Sequence, residues 1–311
     1  MIRNSYKPIS EYLHRIKGVV LVACLLTVFF ACSSESEQKT ESGIEEEEEE
    51  ILTEKEQEAN KAQKVFYTIP SPIEMTSLIK KAGASYDKDA GNSPSNVSNY
   101  VTIVSMALNL GIYGADLSYA SIFDQTQETL RYFAVAKKLA DGIGISDAFG
   151  KSTLNRIEAN INNRDSLISI ISDSYWETDA YLKENKRSNT SALVIAGGWI
   201  EGLYIATILA ANTSNNKEIV SRIGEQKLSL NNLTAMLNSY DDENISDLVN
   251  DLNGLKKVYD SVELTYYREE PTINPATKVT TIHTTSKISI SVADLQSITD
   301  KIANIRNKII K

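Results

Sequence analysis

The chain has 311 residues, 42% of them hydrophobic, and a formal net charge of −9. That is enough apolar sequence to bury a core in one domain or two small ones, and no stretch of the body is basic enough to neutralise a run of phosphates, which excludes nucleic-acid binding. The only cysteines are Cys24 and Cys32 and the only histidines His14 and His283, so the body has no disulfide framework and no zinc site built from several Cys or His ligands. A Ser-His-Asp arrangement would have to run through His283 alone. No cofactor and no metal are expected.

Residues 1–18 carry Arg3, Lys7, Arg15 and Lys17 against a single Glu11, and Val19 to Ala31 is an unbroken apolar run. A basic start and an apolar run of this length read as a secretory signal, too short to span a bilayer comfortably. Ala31-Cys32 ends the run and the chain turns polar at once, which resembles the lipobox of bacterial lipoproteins. There the signal is cut before the cysteine, and the resemblance implies that Cys32 becomes the lipidated first residue of the mature chain. Phe29 departs from the usual Leu. Leu21-Val-Ala-Cys24 fits the letters better but would cut the apolar run in half. An ordinary cleaved signal and an uncleaved anchor are the other two readings. Residues 33–64 hold twelve Glu against four Lys, a net −8. Self-repulsion extends such a segment, and it has too little apolar surface to fold. It reads as a tether, and Ser34-Glu35-Ser36-Glu37 resembles the acidic export signal of surface lipoproteins of the Bacteroidota. The expected organisation is a signal at 1–31, a tether at 32–64 and a helical domain at 65–311.

Ordered sequence is expected from about Val65. Ser71-Pro72-Ile73-Glu74 places Ser at N-cap, Pro at N1 and Glu at N3, so a helix should run from here to Gly83. Residues 84–95 form a loop, whose Asp87, Asp89 and Gly91 fall short of a calcium loop because no Glu stands at the twelfth position. Dense apolar residues predict a buried helix from about Asn96 to Phe123, and Asp124 to Gln127 a capping box for the next, ending at Gly142 or Gly144. Further helices are expected at 147–161, 164–185, 191–211, 217–239 and 244–267. Val279 to Thr285 and Ile288 to Ile290 switch to β-branched residues, a minor β segment within 278–290. Ser291 to Asp294 is a third capping box. It opens a last helix on which Leu295, Ile298, Ile302, Ile305 and Ile309 form a packing seam, against a neighbour in this chain or a second copy. The sum is an all-α bundle of eight or nine helices.

Two stretches organise it. Asn109 to Ile122 and Ile195 to Ile208 match at a shift of 86 residues: Gly111 falls on Gly197, Tyr113 on Trp199, Leu117 on Leu203. The echo reads as two related helical units. A glycine within a helix costs about 1 kcal/mol relative to alanine, so Gly111, Gly114, Gly197, Gly198 and Gly202 predict a close crossing of two central helices. Each stretch also holds one carboxylate among aromatics. Asp116 lies three residues from both Tyr113 and Tyr119, and Glu201 three before Tyr204. Buried carboxylates need partners, so Asp116, Glu201, Tyr113, Tyr119, Trp199 and Tyr204 form the candidate ligand pocket. Two facing carboxylates can act as acid and base on a glycosidic bond, bind a cation or a sugar, or satisfy polar groups in a core. No catalytic residue is assigned. Clusters of aromatics and acids at Tyr175 to Asp179 and Tyr266 to Glu270 would suit sugar stacking if exposed.

Tyr67 to Glu74, Leu110 to Asp116 and Ala196 to Leu203 resemble motifs of an uncharacterised helical lipoprotein family of the Bacteroidota, a resemblance that covers most of residues 65–267 and brings no activity with it. The chain is shorter than the starch-utilisation lipoproteins and lacks their helical repeats. The expectation is therefore a membrane-anchored envelope lipoprotein, on the outer membrane, that binds a partner protein or small ligand or serves structure. The alternative is a glycosidase-like hydrolase using Asp116 and Glu201.

Overall fold

The computed structural model describes residues 69–146, 151–161, 163–214, 216–240, 242–268, 270–274, 279–281 and 284–311. The segments expected as signal (1–31) and tether (32–64), with Cys32, and His283 lie outside the described residues. The body is an all-α bundle with a small β ribbon, as its sequence predicts. Its helices are α1 (Pro72–Lys81), α2 (Ile103–Ile122), α3 (Thr126–Gly142), α4 (Lys151–Ala159), α5 (Arg164–Glu184), α6 (Ser188–Asn212), α7 (Lys217–Asn238), α8 (Glu243–Tyr259) and α9 (Val292–Ile309). The strands are β1 (Glu263–Arg268), β2 (Thr272–Asn274), β3 (Val279–Thr281) and β4 (Thr284–Ser289).

Local chemistry sets the helix ends. The Ser71 backbone N–H donates to Glu74 Oε2 at 2.8 Å while the Glu74 N–H donates back to Ser71 Oγ, so the box that opens α1 forms in full. The Ser291–Asp294 box opens α9 in the same way. The second helix begins later than its apolar pattern suggests. Residues 94–99 form a separate 3₁₀ turn, where Asn96 Nδ2 donates to Asn92 Oδ1 and the Ser95 N–H to Ser93 Oγ. Short polar side chains divert the backbone there, and Thr102, paired reciprocally with Ser105, starts α2 afresh.

Asp124 does not cap α3. It sits at φ 60° in the left-handed region and terminates α2, the Gln125 N–H donating to Ala120 O at 2.8 Å. The following helix starts at Thr126 with no side-chain cap. The helix expected over 244–267 also needs correction. It ends at Tyr259, and Glu263 to Arg268 pairs antiparallel with Thr284 to Ser289, from Glu263 opposite Ser289 to Arg268 opposite Thr284. β2 and β3 pair antiparallel as a second two-stranded sheet, Thr272 opposite Thr281. The β-branched and aromatic residues at 262–267 gain more from pairing with the later Thr- and Ile-rich run than from one more helical turn.

Two helices, α2 and α6, make up the centre of the bundle and the others pack around them. By length and hydropathy α6 is apolar enough to cross a membrane, but 89% of its most apolar window is buried within the body. A helix that is apolar all round and wrapped by others is a core helix. Gly111, Gly197 and Gly198 act as expected at the crossing, whereas Gly202 faces Met75 on α1. A Cβ on Gly111 would stand 2.0 Å from Val194 O and 2.6 Å from Gly198 N, and one on Gly197 would stand 1.9 Å from Leu108 O. Backbone lies on backbone. Gly114 differs, since nothing lies within 4 Å of where its Cβ would be. The α9 seam is used within the chain: Ile298, Ile302 and Ile305 are buried against α6 and α8.

Candidate functional site

The two carboxylates come together. Asp116 on α2 and Glu201 on α6 are both 0% exposed and interact directly. Contacts at the crossing straddle the 86-residue shift, with Gly111 on Val194 and Gly198 and Asp116 on Glu201, so the helices run in the same sense and equivalent positions of the echo meet.

The dominant partner is one that the sequence pattern does not single out. Arg306, near the end of α9, donates through Nε to Glu201 Oε2 and through Nη2 to Glu201 Oε1, both at 2.8 Å. This is a planar fork on a carboxylate, the geometry for which arginine is suited and lysine is not. The guanidinium also lies 4.3 Å from the centre of the Tyr204 ring, a cation–π contact in a desolvated site. Arg306 is itself 6% exposed. The side chain was legible only as an Arg on a seam helix one residue past Ile305. Its depth comes from how tightly the end of α9 is drawn in. Asn109 Nδ2 donates to Ile309 O and the Tyr100 hydroxyl to Ile310 O.

Asp116 is held differently. Its Oδ2 accepts the backbone N–H of Asn92 at 3.1 Å, while Oδ1 has no N–H or hydroxyl donor among the described residues. Burial pushes the Asp116 carboxyl well above the ordinary carboxylate range and the charge on Glu201 adds to this. Burial raises Glu201 too, but the Arg306 fork opposes it. Burial thus works against charge on both carboxyls, and only on Glu201 does the Arg306 fork hold against it. The two carboxyls and the guanidinium are sealed together. Gly91 closes the lid. A Cβ there would stand 2.4 Å from the Tyr132 hydroxyl and 3.0 Å from Asp116 Oδ1.

The tyrosines expected to ligate Asp116 bond elsewhere. The Tyr113 hydroxyl donates to Ser93 O at 2.7 Å, and the Tyr119 hydroxyl donates to Asp87 O and accepts from Asp87 N. Both tie the 84–95 loop onto α2. Burial raises both phenols, so neither ionises at ordinary pH. Trp199 points away from the carboxylates, its indole N–H shared by Gln226 Oε1 and Ser229 Oγ on α7. Of the six candidate residues, Asp116, Glu201 and Tyr204 meet around Arg306, and Tyr113, Tyr119 and Trp199 secure the surrounding loop and helix. Of the aromatic clusters, Trp176 and Tyr267 are exposed. Among the described residues no group of three or more His, Cys, Asp or Glu is placed to hold a metal ion. Comparison of the chain with protein-family models, with curated proteins and with solved structures returned no match.

Proposed function

We propose that the chain is a lipid-anchored module of a bacterial cell envelope, held at the outer membrane through Cys32, whose helical body binds a partner or small ligand and does not catalyse. The bidentate Arg306–Glu201 pair carries the second half of this reading. Both oxygens of Glu201 are already ligated by the protein, and Asp116 has no path to solvent. A glycosidase needs two carboxyl groups flanking a substrate and a water between them or beside them, and this pair encloses neither. Buried, internally ligated polar groups of this kind fix packing. The anchor half rests on the basic start, the apolar run ending at Ala31-Cys32 and the acidic tether that follows.

Expression of the full chain in a bacterium fed an alkyne-tagged fatty acid tests the anchor. Wild type and Cys24→Ala should take up label and fractionate with membranes, and Cys32→Ala should do neither. Label retained in Cys32→Ala would overturn the assignment. Hydrolysis of aryl glycosides by wild type, lost in Asp116→Asn without change in Tm, would restore the catalytic alternative.

A further inference from the structure

The crossing explains Gly111 and Gly197, but it does not explain Gly114. Glycine is the poorest helix former after proline, and here it sits mid-helix in α2 with empty space where a side chain would go. That space is an apolar slot of about 40 Å³ between α1 and α5, floored by α2 at Leu110, Gly114 and Leu117 and closed by Phe133 and Ile157. Three of its hydroxyls are turned away from it: Ser118 donates to Gly114 O, Ser174 to Ile170 O and Thr178 to Ser174 O, each within its own helix. Most of the remaining wall is apolar, from Pro72 and Leu110 to Ile171.

A second depression, of about 270 Å³, lies along the same three helices and reaches the surface. Each wall carries over. Ile73 of the slot and Ser77 of the depression are one turn apart on α1, Leu117 and Ile122 follow each other along α2, and Ile171 and Ile168 share a face of α5. From Ser71 to Lys81, α1 passes both over about 15 Å at 1.5 Å per residue. The open end of the depression is cationic. Lys80, Lys81 and Arg164 stand there against Asp124 and Asp165, and Lys81 has no acidic partner among the described residues.

We propose that the slot and the depression join as one trough that binds a free medium-chain fatty acid, its alkyl end in the slot at Gly114 and its carboxylate against Lys81 and Arg164. An apolar inner end and a net positive mouth along the same three helices match an anionic single-chain amphiphile. Two-chain lipids are too wide for the slot. The inference rests on the reading of the body as a binding module.

Isothermal titration of the full chain with decanoate, and with decanol as the uncharged counterpart, tests it. Wild type should bind one decanoate per chain saturably and more tightly than decanol. Charge reversal in Lys81→Glu with Arg164→Glu should weaken decanoate by about tenfold and leave decanol unchanged. Gly114→Leu should abolish both while far-ultraviolet circular dichroism is retained. If that variant fails to fold, the charge-reversed protein decides alone, since its two sites are on the surface. No saturable binding of decanoate, equal affinity for decanol, or full affinity in the charge-reversed protein would overturn the proposal. So would binding seen only in Cys32→Ala, which would identify the chain's own lipid as the occupant. Turnover of decanoate esters by wild type, lost in Asp116→Asn, would instead refute the binding-module reading.

Discussion

Replacing Arg306 with Met removes the charge while keeping most of the volume of the side chain. It leaves the Glu201 carboxylate 0% exposed with its two 2.8 Å donors gone. Breaking one side of a buried ion pair costs about 3–5 kcal/mol, because the stranded charge keeps its desolvation penalty. Against a total stability of about 5–15 kcal/mol for a domain, that is a large share. Glu201 can relieve the cost by taking up a proton, so the loss should be smaller at pH 5 than at pH 8. Glu201→Gln combined with Arg306→Met removes both charges, and the double variant should recover at least about 1.5 kcal/mol relative to the sum of the single losses. The assay is urea unfolding followed by circular dichroism, with the slope checked for constancy so that the midpoint reports stability. A loss below about 1 kcal/mol for Arg306→Met, or strict additivity of the two substitutions, would refute the view that this pair is a desolvated, mutually dependent unit.

Asp116→Asn tests where the proton resides. The folded Asp116 pKa is raised well above its ordinary value of 3.8, so its share of stability is complete below about pH 4 and is lost as pH rises through the folded pKa. Wild type should therefore lose ground to Asp116→Asn from pH 4 upward in a series of urea melts, and parallel curves would rule out a raised pKa. At the crossing, Gly111→Ala and Gly197→Ala each drive a methyl to about 2 Å from a backbone carbonyl, and each should lower stability by about 3 kcal/mol or more. Gly114→Ala meets nothing within 4 Å and should raise stability by up to about 1 kcal/mol; thermal unfolding separates the two classes, and equal effects would contradict the crossing geometry. Trp199→Phe removes the donor shared by Gln226 and Ser229, which still bond each other, and should cost about 1 kcal/mol, read from the same melts.

Much of this arrangement could be read from local chemistry. Capping boxes at Ser71 and Ser291 are written in three or four residues, and their geometry needs no distant help. The echo at a shift of 86 residues and the excess of glycine identified the central pair and led Asp116 to Glu201, because helices crossing in the same sense bring equivalent positions together. What could not be read depended on residues far apart in the chain. Arg306 is 105 positions from Glu201, and on α9 it looks like one basic residue among several near a helix end. Residues 263–268 carry enough helix formers to pass as the end of α8, and only their pairing with 284–289 makes them a strand. Asp124 carries the letters of an N-cap, but the tight exit from α2 takes it first. The tyrosines near Asp116 were placed correctly on the helix face, but spacing says nothing of the loop carbonyls at Ser93 and Asp87 that compete for their hydroxyls.

A fully buried helix has no solvent face, so its periodicity must be read for partners. On α2 the three sides divide in this way. Leu108 and Gly111 meet the backbone of α6; Asn109, Tyr113 and Asp116 reach the 84–95 loop and the end of α9; Leu110, Gly114 and Leu117 floor the slot beneath α1 and α5. The small-residue side lets the central helices approach, and because a Cβ at Gly111 or Gly197 would strike backbone, it allows that approach only where these glycines stand. The polar side adds a second constraint. Sliding α6 by one turn, about 5.4 Å, would separate Glu201 from Asp116 and from the Arg306 fork and strand all three in the core. Two faces of the same helix thus share in setting register. The third packs Leu110 and Leu117 into the core beneath α1 and α5, and it leaves open space at Gly114.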